Sequence, residues 1–254
     1  MEQITDILDA AGLASQIILE SGGETYRAEE TAERMCRGLG AKTVDVLALP
    51  TGLMMTLTDQ DKVTYSRLVR VHARTIDLDR LDRCNAVSRH VAEGKLTARE
   101  ALRELTAIHA PARPSAWKLV LASAFSAAFF TVMLSGTWLD FFVSFFCGAL
   151  LQLVLFPLSR RRVPMVLSNM IAGALATLLA LCGTLVYADL HLEPIISGAI
   201  MPLLPGLATT NAIRDTIRGD LVSGGARVVE AVLSAITLAA GIGLMLSMWG
   251  GLVK

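Results

Sequence analysis

Ile4, Ile7, Leu8, Ala11, Ser15, Ile18 and Leu19 recur at the three- and four-residue spacing that sets one face of an α-helix, so the chain opens with an amphipathic helix. Gly22-Gly23 ends it, because glycine takes the left-handed cap without a Cβ clash. A second helix is predicted over Thr25–Leu39 with Tyr26, Met35, Cys36 and Leu39 inward, ending at Gly40. Three β-rich runs follow, Thr43–Leu49, Leu53–Thr58 and Val63–Val71, the last two joined by a turn at Asp59-Gln60-Asp61-Lys62. Two more helices are expected. One starts near Asp77 and buries Leu78, Leu81 and Val87; the other starts with the capping box Thr97-Ala98-Arg99-Glu100 and buries Leu102 and Leu105. Pro111 and Pro114 then break the chain.

Beyond that break the pattern changes. Windows free of charge run Leu119–Leu139, Phe141–Ser159, Val163–Ala188, Pro194–Ile213 and Ala231–Val253. Each is long enough to cross a hydrocarbon layer of roughly 30 Å at about 1.5 Å per residue. The expectation is five transmembrane helices, about 117–135, 138–158, 165–187, 194–213 and 228–249, with Trp117, Trp138, Tyr187 and Trp249 at span ends where amphipathic aromatics settle. Small residues repeat every fourth position, Ala172, Ala176, Ala180 and Thr184 on the third span and Ala231, Ala235, Ala239, Gly243 and Ser247 on the fifth, and are read as packing faces. The fold class is therefore an α-helical integral membrane protein (residues 115–254) with an N-terminal cytoplasmic α+β domain (residues 1–114).

Composition sharpens that division. The chain has 254 residues, 53% of them hydrophobic, with mean hydropathy +0.54 and no formal net charge. Residues 1–113 carry 32 of its 46 charged residues. Acids match bases there, which argues against nucleic acid. Cys36, Cys84, Cys147 and Cys182 form no CxxC pair and serve as small packing groups. Glu2, Asp6 and Asp9 precede any basic residue, so the start does not read as a cleaved signal peptide.

The loops set orientation. Arg160-Arg161-Arg162 lies between spans two and three, and Arg214, Arg218 and Arg227 between four and five, whereas the loops near Gly136 and His191 hold no Lys or Arg and the tail holds only Lys254. The positive-inside rule places the N-terminal domain and both arginine-bearing loops in the cytoplasm and the C-terminus outside.

Span four carries the chemistry. Pro202 and Pro205 lack N–H groups, which deprives the Gly198 and Met201 carbonyls of their helical partners, and Gly206 permits a non-helical turn. Pro194 to Leu204 spans roughly 16 Å as helix and Gly206 to Arg214 adds roughly 12 Å, so the break falls near the bilayer middle. A half-helix starting at Leu207 would aim its positive dipole end there, as transporters with discontinuous helices do for substrate carboxylates. The candidate substrate site is Pro205, Gly206, Thr209, Thr210 and Asn211. The alternative is a kink that only shapes packing.

Asn211, Asp215 and Arg218 share a face, and with Arg214 they either gate the pathway and relay protons or pair as an interfacial network. Glu230 is placed to pair with Arg227. Gln152 and Asn169 are lesser candidates for the pathway, or for hydrogen bonds between helices. In the N-terminal domain, Glu24, Arg27, Glu29, Glu30 and Glu33, with Glu20 nearby, form either a carboxylate-rich ligand or metal site or a solvated helix face complementing the dipole. His72, His90 and His109 pair with no acid or cysteine at metal-ligand spacing, and there is no serine elbow, P-loop or HExxH. Neither a metal, a cofactor nor a catalytic residue is implied.

The runs Ser21-Gly22-Gly23-Glu24-Thr25-Tyr26-Arg27-Ala28-Glu29-Glu30, Glu93-Gly94-Lys95-Leu96-Thr97, Leu204-Pro205-Gly206, Asn211-Ala212-Ile213-Arg214-Asp215, Gly219-Asp220 and Ser223-Gly224-Gly225-Ala226-Arg227 together resemble the threonine/serine exporter family of bacterial inner-membrane proteins, over nearly the whole chain. The resemblance implies a cytoplasmic domain followed by membrane helices. Full-length members carry a second, smaller set of helices, so a chain with five spans is similar to the split form, in which a separate small membrane protein supplies that set. The split pair is associated with succinate export and the fused form with threonine and serine. The expectation is a subunit of a secondary exporter of a small carboxylate, threonine/serine or a C4-dicarboxylate, embedded in the lipid bilayer of the inner membrane as a homo- or hetero-oligomer. A dicarboxylate would need a second cationic anchor, for which Arg214 and Arg218 are nearest. The family's N-terminal domain has also been likened to hydrolases. The alternative is accordingly a membrane-anchored enzyme or sensor working through Glu24, Arg27 and Glu30.

Overall fold

The computed structural model describes residues 2–59, 61–110, 115–161 and 163–252. Gln60 of the expected turn, the Pro111 and Pro114 break, Arg162 of the triple-arginine loop and Lys254 lie outside the described residues. Contacts divide the chain into two compact units, Met1–Ala112 with Leu207–Val229, and Arg113–Gly206 with Glu230–Lys254.

In the first unit α1 (Glu2–Glu20) is the central element, packing against α2 (Thr25–Gly38), α3 (Leu78–Ala92), α4 (Ala98–His109) and the sheet. It is more than amphipathic. Ala10, Ala14 and Ile17 are buried as fully as Ala11 and Ile18, because helices cover one side of α1 and the sheet another. The sheet has the antiparallel order β1 (Thr43–Leu49), β2 (Gly52–Thr58), β3 (Thr64–Arg70), with Leu47 opposite Met54 and Met54 opposite Leu68. Alternation sends Val44, Ala48, Leu53, Met55 and Leu57 into the core and leaves Leu47, Met54 and Leu68 outward. The exposed edge of β1 is sealed by a side chain: the Ala48 N–H donates to Glu29 Oε1 at 2.8 Å.

The caps behave as the residues suggest. Asp77 accepts from the Arg80 N–H, and Thr97 and Glu100 form the reciprocal capping box. Some inward assignments fail. Leu78 is 67% exposed because it is the first residue of α3, ahead of the packed stripe Leu81, Cys84, Val87 and Val91. Tyr26, Leu39 and Leu102 are only half-buried. Cys36 and Cys84 are buried as free thiols, and burial pushes both up to about 12, so they stay protonated packing groups.

The second unit holds α5 (Ala116–Met133), α6 (Trp138–Arg160), α7 (Met165–Val186), α8 (Leu192–Ile200) and the greater part of α10 (Leu221–Leu252). Among the described residues four helices, α5, α6, α7 and α10, are long and apolar enough to cross a membrane, and the broken pair Leu192–Leu203 and Gly206–Ile217 makes up to five. Trp117, Trp138 and Tyr187 stand exposed at helix ends. The Pro202–Pro205 break does not orphan its carbonyls. A 3-10 turn, Met201–Leu203, lets the Met201 N–H donate to Gly198 O and the Leu204 N–H to Met201 O, so three-residue bonds replace the lost four-residue ones.

Small residues pack this unit, though not as the fourth-residue stripes suggest throughout. On α7 the stripe holds, with Ala172, Ala176 and Ala180 buried. On α10 it does not: Ala231 is buried but Ala235, Ala239, Gly243 and Ser247 are exposed, and the packed face runs Ala231, Ser234, Leu238, Gly241. Each step of four residues turns about 40° past a full turn, so four such steps wrap the stripe round the helix, whereas alternating steps of three and four stay on one face. Asn169 Nδ2 crosses from α7 to Ser234 Oγ on α10 at 2.8 Å. Sequence reading also passed over Asp140. It caps α6 with Thr137 and is fully buried, accepting from the His191 N–H at 2.9 Å with His191 Nδ1 at 3.0 Å, which ties the loop before α8 to the start of α6.

A Cβ on Gly173 would run into the Leu238 carbonyl and one on Gly241 into the Met170 carbonyl, whereas one on Gly243 meets nothing within 4 Å. Gly173→Val and Gly241→Val are each expected to destabilise the protein by about 1–3 kcal/mol, and Gly243→Val by far less. Thermal unfolding in detergent checks the order.

Candidate functional site

Two turns of the same build meet in the first unit. At the end of α1 the Gly22 N–H donates to Leu19 O and the Gly23 N–H to Ile18 O, with Gly22 at φ +84°. A Cβ on Gly23 would press into Ile18 as well, so only glycine fits there. At the end of α9 (Gly206–Ile217) the Gly219 N–H donates to Thr216 O and the Asp220 N–H to Asp215 O, with Gly219 at φ +91°. Asp220 then caps α10 by accepting from the Ser223 N–H. Gly224 lets α10 lie against α9, where a Cβ would strike Thr216 and Ala212.

The two turns are laced by polar side chains nearly two hundred residues apart in sequence. Asn211 Nδ2 donates to Gly22 O at 2.8 Å and Arg227 Nη2 to Gly23 O at 2.9 Å. Thr25 Oγ1 donates to Asp220 Oδ2 at 2.9 Å, and Arg214 Nη1 to Glu24 Oε1 at 2.6 Å. Arg227 Nε stands 3.0 Å from Asp215 Oδ2. Asp215 is fully buried and Arg227 is 4% exposed, so each neutralises a charge that would be costly at that depth. On the outer side the Arg218 guanidinium lies 3.6 Å from the Tyr26 ring centroid, with Glu30 Oε1 at 3.6 Å.

The acidic run of α2 thus separates by residue. Glu24 is buried; burial opposes its charge, but its backbone N–H, the Arg214 hydrogen bond and the Arg27 and Arg214 charges outweigh that and hold its carboxyl below the ordinary value. Burial raises Glu29, with the nearby Asp220, Glu33 and Asp215 charges adding to it and the Ala48 N–H only partly offsetting it. Arg27 Nη1 is 3.5 Å from Glu24 Oε2, and Glu33 pairs with Arg37 at the surface. Glu20 Oε2 is bound to His109 Nε2 at 3.0 Å and ion-paired with Arg80 Nη2 at 3.7 Å instead of joining the cluster. Among the described residues no three His, Cys, Asp or Glu side chains are grouped to hold a metal ion.

The structure brings Asn211, Arg214, Asp215 and Arg218 together with Glu24, Arg27 and Glu30. Thr209 and Thr210 are exposed on α9, Gly206 is exposed at its start and Pro205 is half-buried before it. Gln152 is half-buried on α6, and Asn169 is bound to Ser234. Sequence reasoning missed Thr25, Asp220 and the Gly22 and Gly23 carbonyls; their presence in quoted motifs was the available signal.

The profile of the threonine/serine exporter family, ThrE, matches residues 9–249. A protein of Mycobacterium tuberculosis named as a probable threonine/serine exporter is 25% identical over 96% of this chain, which spans about half (46%) of that relative's length. Proteins of Klebsiella aerogenes and Escherichia coli named as probable succinate transporter subunit YjjP are 27% and 23% identical, each over 92% of this chain and 90% and 91% of their own. No solved structure matches the chain significantly.

Removing one partner of the buried pair, as in Asp215→Ala or Arg227→Ala, is expected to cost about 3–5 kcal/mol, and the double substitution less than the sum. Thermal unfolding of the three variants checks this. Acid has opposite effects on the two glutamates. The lowered Glu24 contributes stability above its unfolded value that is lost as pH falls through its folded one, whereas the raised Glu29 is relieved as it protonates. Glu24→Gln should therefore flatten the loss of stability on acidification below the ordinary glutamate range, and Glu29→Gln should stabilise near neutral pH, both read from melting temperature against pH.

Proposed function

Because the chain belongs to the threonine/serine exporter family, we propose that it is a subunit of a secondary exporter that moves a small carboxylate metabolite out of the cytoplasm of a bacterial cell, together with a second small membrane protein. The observation that carries the proposal is the broken span, Leu192–Leu203 and Gly206–Ile217, whose second limb runs straight into buried Asn211 and Asp215. Polar groups and interrupted helix are costly beside lipid and are kept where they face a path or a polar partner. The start of α9 with Thr209 and Thr210 would hold the substrate carboxylate, and Asn211, Arg214, Asp215 and Arg218 would form its inner path. The N-terminal domain, residues 1–114, then lies in the cytoplasm and the C-terminus outside, as the arginine-bearing loops favour.

A partner subunit is supported by the relatives named as YjjP, which match this chain over most of their length and are themselves named as subunits. The contact between Gly22–Tyr26 and the α9–α10 turn gives the N-terminal domain a direct hold on the proposed path, which favours control of transport over separate chemistry.

Cells carrying this chain and its partner should export labelled succinate or threonine, and cells lacking either should retain it. Asn211→Ala and Asp215→Asn should each cut export at least tenfold with membrane insertion unchanged. Full export by both variants would sink the assignment of the path.

A further inference from the structure

Three guanidinium groups lie along this contact, Arg27 and Arg214 on Glu24 and Arg218 over the Tyr26 ring, with side chains 38%, 57% and 54% exposed. Two carboxylates of the same chain sit on them. Glu24 places Oε1 at 2.6 Å from Arg214 and Oε2 at 3.5 Å from Arg27, while Glu30 Oε1 stands 3.6 Å from Arg218. Three cations here face these two carboxylates, with Asp220 held on Thr25 beside them. The Arg218 N–H still donates to Arg214 O at 3.1 Å, so the two arginines follow one another at one helical turn, about 6 Å along α9. Two carboxyl carbons joined through two methylenes lie roughly 4 Å apart when extended. Hydrogen bonds of about 2.8 Å from two guanidinium forks can bridge the difference.

We propose that Arg214 and Arg218 form a binding site for a small dicarboxylate, and that Glu24 and Glu30 are its tethered occupants, which an incoming ligand displaces. This rests on the exporter reading and adds to it the anchors and their internal competitor. Exchange at Arg214 leaves no buried charge alone, because Glu24 keeps Arg27 on its other oxygen. Exchange at Arg218 is cheap, because its pair with Glu30 is long and both side chains are more than half exposed. The Tyr26 ring holds the Arg218 guanidinium in place throughout. A monocarboxylate engages one fork only, and the ammonium of an amino acid would face the second guanidinium, where a second carboxylate is wanted.

The test is binding to the full-length protein in lipid nanodiscs, by calorimetry, with succinate, butyrate and threonine as probes. Succinate should bind at least tenfold tighter than either of the others. Glu30→Gln removes a competitor and should tighten succinate several-fold, whereas Arg218→Gln should bring succinate and butyrate to within about twofold. Both substitutions lie at exposed positions, and the melting temperature verifies that each variant is folded. Equal binding of succinate and butyrate by the unaltered protein overturns the proposal, as does a Glu30→Gln variant whose succinate affinity is unchanged or weaker. Export separates this inference from the reading beneath it. If Arg218→Gln still exports succinate in preference to butyrate, the site falls and the exporter stands. If succinate binds as described but no carboxylate is exported, the exporter falls and the site stands.

Discussion

Arg227 is almost wholly buried, and a guanidinium at that depth persists only with a counter-charge and with acceptors for its N–H groups. Asp215 supplies the charge and the Gly23 carbonyl one acceptor. Those two partners come from different places, the last turn of α9 and the turn after α1. Satisfying one arginine therefore fixes the α9–α10 hairpin against the start of α2. The other contacts ride on that arrangement: Asn211 on Gly22, Thr25 on Asp220 and Arg214 on Glu24 are each short enough to form only if the two turns are already in register. The first unit consequently includes Leu207–Val229, a segment far from the rest of it along the chain.

The second unit is held differently. Its contacts are mostly small residues that let backbones approach, such as Gly173 against Leu238 and Gly241 against Met170, with a few polar crossings at Asn169, Thr131 and Asp140. Outward it presents Phe125, Phe129, Phe142 and Phe146, which is what helices facing lipid require. Function in such an arrangement concentrates where the rule is broken, at the interrupted span and the charged turn that follows.

What was legible in the sequence followed from local rules. Alternation marked β1 to β3, Thr97 and Glu100 announced α4, and charge-free windows located α5, α6 and α7, whereas the fourth window runs across α8, a 3-10 turn and α9, and the fifth begins at Ala231, inside α10. Where periodicity was read too rigidly it misled, as with the fourth-residue stripe on α10 and with Leu78, which has the right phase but stands ahead of the packed face. The pairing of Gly22–Glu30 with Asn211–Arg227 lay beyond local rules. Nothing in the spacing of Glu24 or Arg214 says that they touch, since a contact across such a separation depends on how the whole unit packs. Asp140 was hidden for a related reason: a single acid at a span end reads as an interface residue until His191 is seen to fold back on it.

Contact between the two turns is tested most directly by cross-linking. Thr25→Cys and Asp220→Cys, introduced together in full-length protein with the native cysteines replaced, put two thiols where a side-chain hydrogen bond of 2.9 Å now runs. Mild oxidation in native membranes should join them within one chain, rapidly and in high yield, while Thr25→Cys with Arg37→Cys, about 18 Å away along α2, gives no link. Failure of the first pair to link in folded, membrane-inserted protein would contradict the joint on which both the proposed path and its arginine site are built.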